Sequence, residues 1–303
     1  MKKKEKKKKI SVSDRIFYAV SYTVFTLIAL VCIYPFYYLI INTISRNDYV
    51  DLGLIMYRPI GIHFQNYINL FKQNNVLNSM FISISRTMLG TMFPVLCTSV
   101  LAYLFTKEHM KHRKLLYRIT IVTMYFSAGM IPIYMNIRML GLLNNYWVYI
   151  IPNLIQVYNL VLIKTFIESL PPVLEESAQI DGAGYVCRYI HIVFPLSKPI
   201  LATVALFCAV SAWNSYMDTL LYITDSDLYT LQFTLYEYLS QASSIASSIN
   251  SMTDMSMLDK ATQISTTSIR NTMAVITILP IIFVYPFIQR YYVQGVMIGA
   301  VKG

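Results

Sequence analysis

Charge is scarce in this sequence. Only 13% of the 303 residues are Asp, Glu, Lys or Arg, against 56% hydrophobic residues and a mean hydropathy of +0.50. A soluble core of this length does not require that much apolar surface, and several segments are apolar all round, without the polar face of a soluble amphipathic helix. Catalytic motifs are missing too. There is no GxxxxGK[ST] phosphate loop, no GxSxG elbow, no HExxH helix and no paired-carboxylate constellation inside an apolar run. The chain is therefore not expected to be an enzyme or to hydrolyse ATP itself. Its four cysteines have no CxxC spacing: Cys32, Cys97 and Cys208 sit in apolar runs and Cys187 in a polar stretch. Neither a disulfide framework nor a zinc site is suggested, and the cysteines read as small buried residues. His109 and His112 lie among lysines that repel a metal cation, so no metal is expected there.

What is present fits a membrane protein. Six runs of about 20 apolar residues, the length that crosses about 30 Å of hydrocarbon, lie near 17–44, 80–105, 116–135, 147–166, 200–222 and 272–288. The expected fold is all-α and polytopic. Pro35, Pro94 and Pro132 fall inside these runs and predict kinks. The basic start MKKKEKKKK belongs to a tail over 1–16, and KEHMKHRK follows the second run. Both read as cytoplasmic topology signals rather than nucleic-acid contacts. The first apolar run is too long for a signal-peptide h-region, so it is expected to stay as a span. Six spans over 17–289 then return a tail at 290–303 to the cytoplasm, and place residues 45–75 and 224–269 outside. Within the latter, QASSIASSINSMTDMS reads as a mobile loop, and LYTLQFTLYEYLSQ as an amphipathic helix lying at the outer surface.

The polar segment 171–199 between the fourth and fifth runs faces the cytoplasm on this topology. In SLPPVLEESAQIDGAG, Pro171 and Pro172 suit a helix entrance, Glu175 and Glu176 its first turn, and Gly182 and Gly184 a left-handed stop. A second helical piece over 185–193 is expected to stop at Pro195. Two short helices about a glycine turn make a protruding elbow.

The run EESAQIDGAGYVCRYIHIVFPLSKP, beginning at Glu175, resembles the EAA motif of membrane subunits of binding-protein-dependent ABC importers. Glu176, Ser177 and Ala178 stand at its E-A-A positions, Asp181, Gly182 and Ala183 at D-G-A, and Ile192 and Pro195 at the distal ones. Ser177 replaces the usual Ala, and Phe194 stands where Leu is commoner. LGLLNNYW, SAWNSYMDTLLY and the tail YYVQGVMIGAVKG extend the likeness over nearly the whole chain, towards carbohydrate importers of the maltose type. The resemblance implies that the elbow is a coupling helix seated on a cytoplasmic ATPase. It implies that the tail, through Gly295, Gly299, Lys302 and Gly303, approaches the same ATPase pair. It further implies a second homologous permease subunit, two ATPase subunits that use ATP and Mg, an extracellular solute-binding protein and a carbohydrate cargo in the plasma membrane. No cofactor is implied for this chain.

Polar groups in spans are costly, so they mark candidate pathways. Trp213, Asn214, Tyr216 and Asp218 fall on less than two helical turns, with Asn214 and Asp218 four apart and expected on one face. They are the candidate substrate path, although interfacial Trp and Tyr have the same composition. Arg86 is expected to snorkel outward, and Lys164 and Glu168 to form an ion pair. The rival readings are an ion-coupled secondary transporter using Asp218 and a membrane-embedded enzyme; the second lacks a visible nucleophile or metal constellation.

Overall fold

A computed structural model of the chain describes residues 12–72, 74–240 and 267–283. It is helical throughout, with no strand among the described residues. The chain divides into two compact units, one from residues 1–69 and 252–275, the other from 70–251 and 276–303.

In the first unit, α1 (Val12–Thr43) contains 32 residues. Its length of about 48 Å exceeds the hydrocarbon thickness of about 30 Å. Nearly every apolar side chain from Ile16 to Ile40 is exposed, as a helix facing lipid or another subunit requires. Helical backbone runs through Pro35, and Thr23 Oγ1 donates back to Ala19 O at 2.9 Å. The connector that follows is ordered. It holds the short α2 (Asn47–Asp51) and folds back through Arg46 N–H to Ile60 O (3.0 Å) and His63 N–H to Ile44 O (2.8 Å). Ile41, Val50 and Ile55 pack together beneath it. The chain then enters α3 (Gln65–Lys72), whose Asn66 Nδ2 donates to Thr43 O at 3.1 Å.

The second unit is organised on α4 (Asn74–Thr106). Around it come α5 (Arg113–Tyr125), α6 (Met130–Met139), 3-10 turns at Tyr146–Tyr149 and Ile151–Asn153, and α7 (Val157–Glu168). After α8 (Val173–Ile180), α9 (Tyr185–Arg188) continues through a π turn at Tyr189–Val193 into α10 (Phe194–Leu196). Then follow α11 (Lys198–Asn214), α12 (Met217–Tyr222), a 3-10 turn at Ser226–Leu228 and α13 (231–240). The last described helix is α14 (Thr267–Phe283).

α4 packs chiefly on α11 and α7. A Cβ at Gly90 would sit only 3.7 Å from Ala212 Cβ, so two small residues let α4 and α11 approach closely. Ala102, Tyr103, Ile163, Ile167, Val193, Leu201, Val204 and Cys208 close one core cluster. Ile82, Ile137, Leu142, Val148, Tyr149, Ile150 and Ile223 close a second.

Three of the expected spans are interrupted rather than continuous. By length and composition, two described helices, α1 and α4, can cross a membrane, or up to four segments do if each sharply bent pair counts as one. The run 116–135 is split between α5 and α6 at a break where Gly129 has φ +85. Pro132 therefore lies in the first turn of α6, where a missing N–H is harmless, and does not kink a span. The run 147–166 bends by 47° between the 3-10 turns and α7. The run 200–222 breaks at Ser215, which is extended (φ −76, ψ 121). Apolar composition signals burial or lipid contact, but it does not report such breaks. The helix expected in LYTLQFTLYEYLSQ forms as α13, yet it does not merely lie at a surface. Leu231 and Phe233 are buried, Leu231 N–H donates to Ser83 Oγ at 2.7 Å, and Thr234 and Ser79 hydroxyls lie 3.0 Å apart.

Candidate functional site

The polar segment forms the expected elbow. α8 starts behind Pro171 and Pro172, and it ends in paired bonds from Gly182 N–H to Gln179 O (3.0 Å) and Ala183 N–H to Ala178 O (2.9 Å). This is the Schellman arrangement, with Gly182 at φ +83 supplying the left-handed residue. Gly184 is not left-handed: at φ −68, ψ 169 it is extended and opens the second arm. Nor does that arm stop at Pro195. It continues to Leu196, because the π turn just upstream shifts the hydrogen-bond register around a residue without an N–H, and the 78° bend comes before α11.

The candidate coupling residues gather on this elbow but divide between its sides. Glu175 turns inward to an ion pair with Lys107, just beyond α4, whose ammonium lies 4.0 Å from the Tyr103 ring centre. Burial pulls the Lys107 ammonium below its usual range, and Glu175 opposes that shift. Glu176, Ser177 and Asp181 remain exposed, whereas Ala178, Ala183 and Ile192 are half-buried. On the second arm, buried Arg188 donates through Nη1 to Gln179 Oε1 at 2.7 Å and covers the Tyr185 ring at 4.5 Å. Tyr103 O–H donates to Tyr185 O at 3.3 Å, and the Tyr189 and Ser99 hydroxyls lie 2.6 Å apart. Val193 belongs to the first core cluster. A recess of about 370 Å³ lies beneath the elbow, lined by both arms and the end of α4. Outside it, Ile180 (86% exposed) and Val186 (71%) have no cover. The elbow is thus braced to α4 and presents apolar and acidic side chains outward.

Nothing in the sequence around Lys107, Gln179 and Arg188 marks them as part of the elbow's bracing. Lys107 was visible as the first residue of KEHMKHRK, but its partner is 68 residues away. Gly295, Gly299, Lys302 and Gly303 lie outside the described residues. So do 241–266, most of the Ser-rich connector.

The four candidate path residues do not share one face. The break at Ser215 separates Asn214, the last residue of α11, from Asp218 in α12. Trp213 Nε1 donates to Thr277 O at 3.2 Å, and with Asn214 it lines an apolar cavity of about 360 Å³. Tyr216 stacks on Tyr236 with ring centres 4.8 Å apart. Asp218 instead forms an ion pair with Arg86, and it accepts from Ser215 Oγ at 3.0 Å. Arg86 therefore does not snorkel outward. It is 2% exposed, donates through Nη1 to Ser215 O at 3.0 Å and lies 4.4 Å over the Tyr149 ring. An inward arginine satisfies a carbonyl freed by the helix break, which snorkelling would leave bare. Lys164 and Glu168 pair at 2.6 Å as expected. No group of three or more His, Cys, Asp or Glu residues capable of holding a metal occurs among the described residues.

No protein-family model matches the chain. Among curated proteins, it is 32% identical over 292 residues to the polygalacturonan/rhamnogalacturonan transport system permease protein YtcP of Bacillus subtilis, covering 96% of this chain and 100% of that one. It is 37% identical over 273 residues to Protein LplC of the same organism, covering 90% of each. Among solved structures, it is similar to a bacterial ABC transporter involved in the import of the acidic polysaccharide alginate. That likeness has a TM-score of 0.81 at 29% identity, and covers 93% of this chain and 98% of the other.

Proposed function

Because this chain belongs to the membrane permease subunits of ABC importers, we propose that it forms one half of a membrane pathway that carries an oligosaccharide or other carbohydrate inward. A second homologous permease subunit completes the pathway, two cytoplasmic ATPase subunits drive it, and an extracellular solute-binding protein delivers the cargo. The chain itself is a transport subunit, and ATP with Mg is bound and spent by its partners. The elbow over 174–183 is the contact on which the ATPase pair presses. The basic N-terminal tail, the C-terminal tail and the elbow then face the cytoplasm of a plasma membrane.

The observation that supports this reading best is the bracing of the elbow. Glu175 to Lys107 and Arg188 to Gln179 tie its two arms to each other and to α4, while Ile180, Val186, Glu176 and Asp181 stay uncovered. An exposed apolar patch on a rigid projection suits a docking surface. Closing of the ATPase pair displaces such an elbow as a body, and the displacement passes through α7 and α11 to the spans. The carbohydrate assignment is supported by the transport named for YtcP and for the alginate transporter.

The test is reconstitution of the chain in proteoliposomes with its partner permease, ATPases and binding protein. Labelled maltotriose, raffinose and trigalacturonate are offered with ATP inside. Accumulation of at least one sugar that requires both ATP and the binding protein is expected. Uptake by this chain alone without ATP would sink the reading.

A further inference from the structure

Two helix breaks meet at one small polar cavity in the second unit. The cavity, about 140 Å³, is lined among others by Arg86, Tyr149, Asn153, Gln156, Ser211 and Asp218. One wall comes from the bent passage between the 3-10 turn Ile151–Asn153 and α7, and another from the end of α11 and the start of α12. Non-helical backbone at membrane depth is tolerated where it is buried in protein or lines a wet cavity, and interrupted helices are where transporters commonly place ligand sites. The volume holds several waters, given about 30 Å³ for each water in the liquid, or the hydroxyl-bearing edge of one sugar ring.

The chemistry of the lining narrows the ligand. Arg86 is 2% exposed, and its Nε has no hydrogen-bond partner, although its two terminal nitrogens are engaged by Ser215 O and Asp218. A buried guanidinium donor left unpaired is costly and calls for an acceptor. Asp218 cancels the charge of Arg86 and retains 28% side-chain exposure, so it can accept from a further donor. Asn153 and Ser211 each add a donor and an acceptor, and Gln156, whose Oε1 already accepts from Asn159 Nδ2 at 2.9 Å, adds its amide donors. Ser211 is exposed, which leaves the cavity an opening on that side. Tyr149 contributes its ring, since its hydroxyl is already held by Thr219 and Leu228 O at 2.9 and 2.8 Å. A charge-cancelled cluster of mixed donors and acceptors beside an aromatic ring suits vicinal hydroxyls better than it suits an isolated anion or cation.

We propose that this cavity is a sugar-binding subsite on the transport path, in which Arg86 Nε donates to one hydroxyl oxygen of a glycosyl ring and Asp218 accepts from a neighbouring hydroxyl. Gln156 and Asn153 hold the ring edge, and Ser211 marks the entrance. The inference rests on the carbohydrate-import reading and locates the contact within this subunit. It moves the path away from Trp213 and Asn214, which line a separate apolar cavity.

The experiment uses the complete transporter in proteoliposomes carrying Ser211→Cys. Methyl methanethiosulfonate is added with or without millimolar maltotriose, raffinose or trigalacturonate, and modification at position 211 is followed by peptide mass spectrometry. Glycine betaine at equal osmolality is the control for non-specific effects. At least one sugar is expected to slow modification at position 211 about five-fold where betaine does not, and adding Gln156→Leu is expected to abolish that protection. Absence of protection in a transporter whose wild type imports one of the sugars overturns the subsite and leaves the transport reading intact. Protection without import of any of them supports the subsite and overturns the cargo assignment. Neither import nor protection overturns both.

Discussion

Gly182, at φ +83, has no atom within 4 Å of where a Cβ would stand, so a side chain there meets backbone strain and not a clash. Gly182→Val should cost about 1–2 kcal/mol locally and unwind the turn that sets the angle between the arms. In the reconstituted complex, uptake is expected to fall at least ten-fold while ATP hydrolysis persists; unchanged uptake per ATP would refute the coupling role. The Lys107–Glu175 pair is partly shielded, so a double-mutant cycle with Lys107→Met and Glu175→Gln should give a coupling of about 1 kcal/mol in thermal unfolding. Burial lowers the folded pKa of Lys107 relative to the unfolded chain, so the charged form opposes folding at neutral pH. That penalty is relieved as pH rises through the folded value towards 10.5. Glu175→Gln removes the opposing carboxylate and should shift Lys107 acylation to lower pH, measured site by site. Arg86→Ala strands Asp218 and the Ser215 carbonyl; with Asp218 partly exposed, a loss of about 2 kcal/mol is expected, and Arg86→Met with Asp218→Leu should recover part of it.

Among the elements, the contacts of α4 with α7 and α11 link the elbow to the spans. Ile163 on α7 has no exposure and sits in the core cluster with Val193 from the second arm of the elbow. Ile163→Ala should lower stability by about 2 kcal/mol, at the low end for soluble cores because lipid offers the unfolded helices an apolar alternative. It should also reduce uptake per ATP, read as sugar accumulated against phosphate released. The helix starts and the Gly182 stop were legible beforehand, since proline entrance, acidic first turn and glycine stop are local chemistry. The continuation through Pro195 was not, because a π turn depends on how the arm packs on α4 and α11. The break at Ser215 escaped for a related reason: its freed carbonyl finds its partner in Arg86, which lies far away in sequence.

For the whole molecule, the extent of apolar sequence pointed to a membrane protein, the EAA-like run implied a separate ATPase, and the family relationship places the chain among ABC importer permeases. Apolar run length, local charge and turn chemistry are properties of neighbouring residues, so the sequence by itself determined the all-helical membrane class, the elbow and its motif. Which residues face one another is decided by packing. Only the tertiary structure paired Arg86 with Asp218 and Lys107 with Glu175, parted Asn214 from Asp218, and brought two helix breaks to one polar cavity. A buried charge or a freed carbonyl must find its partner in space, and no spacing along the chain reveals one that lies 68 or 132 residues away.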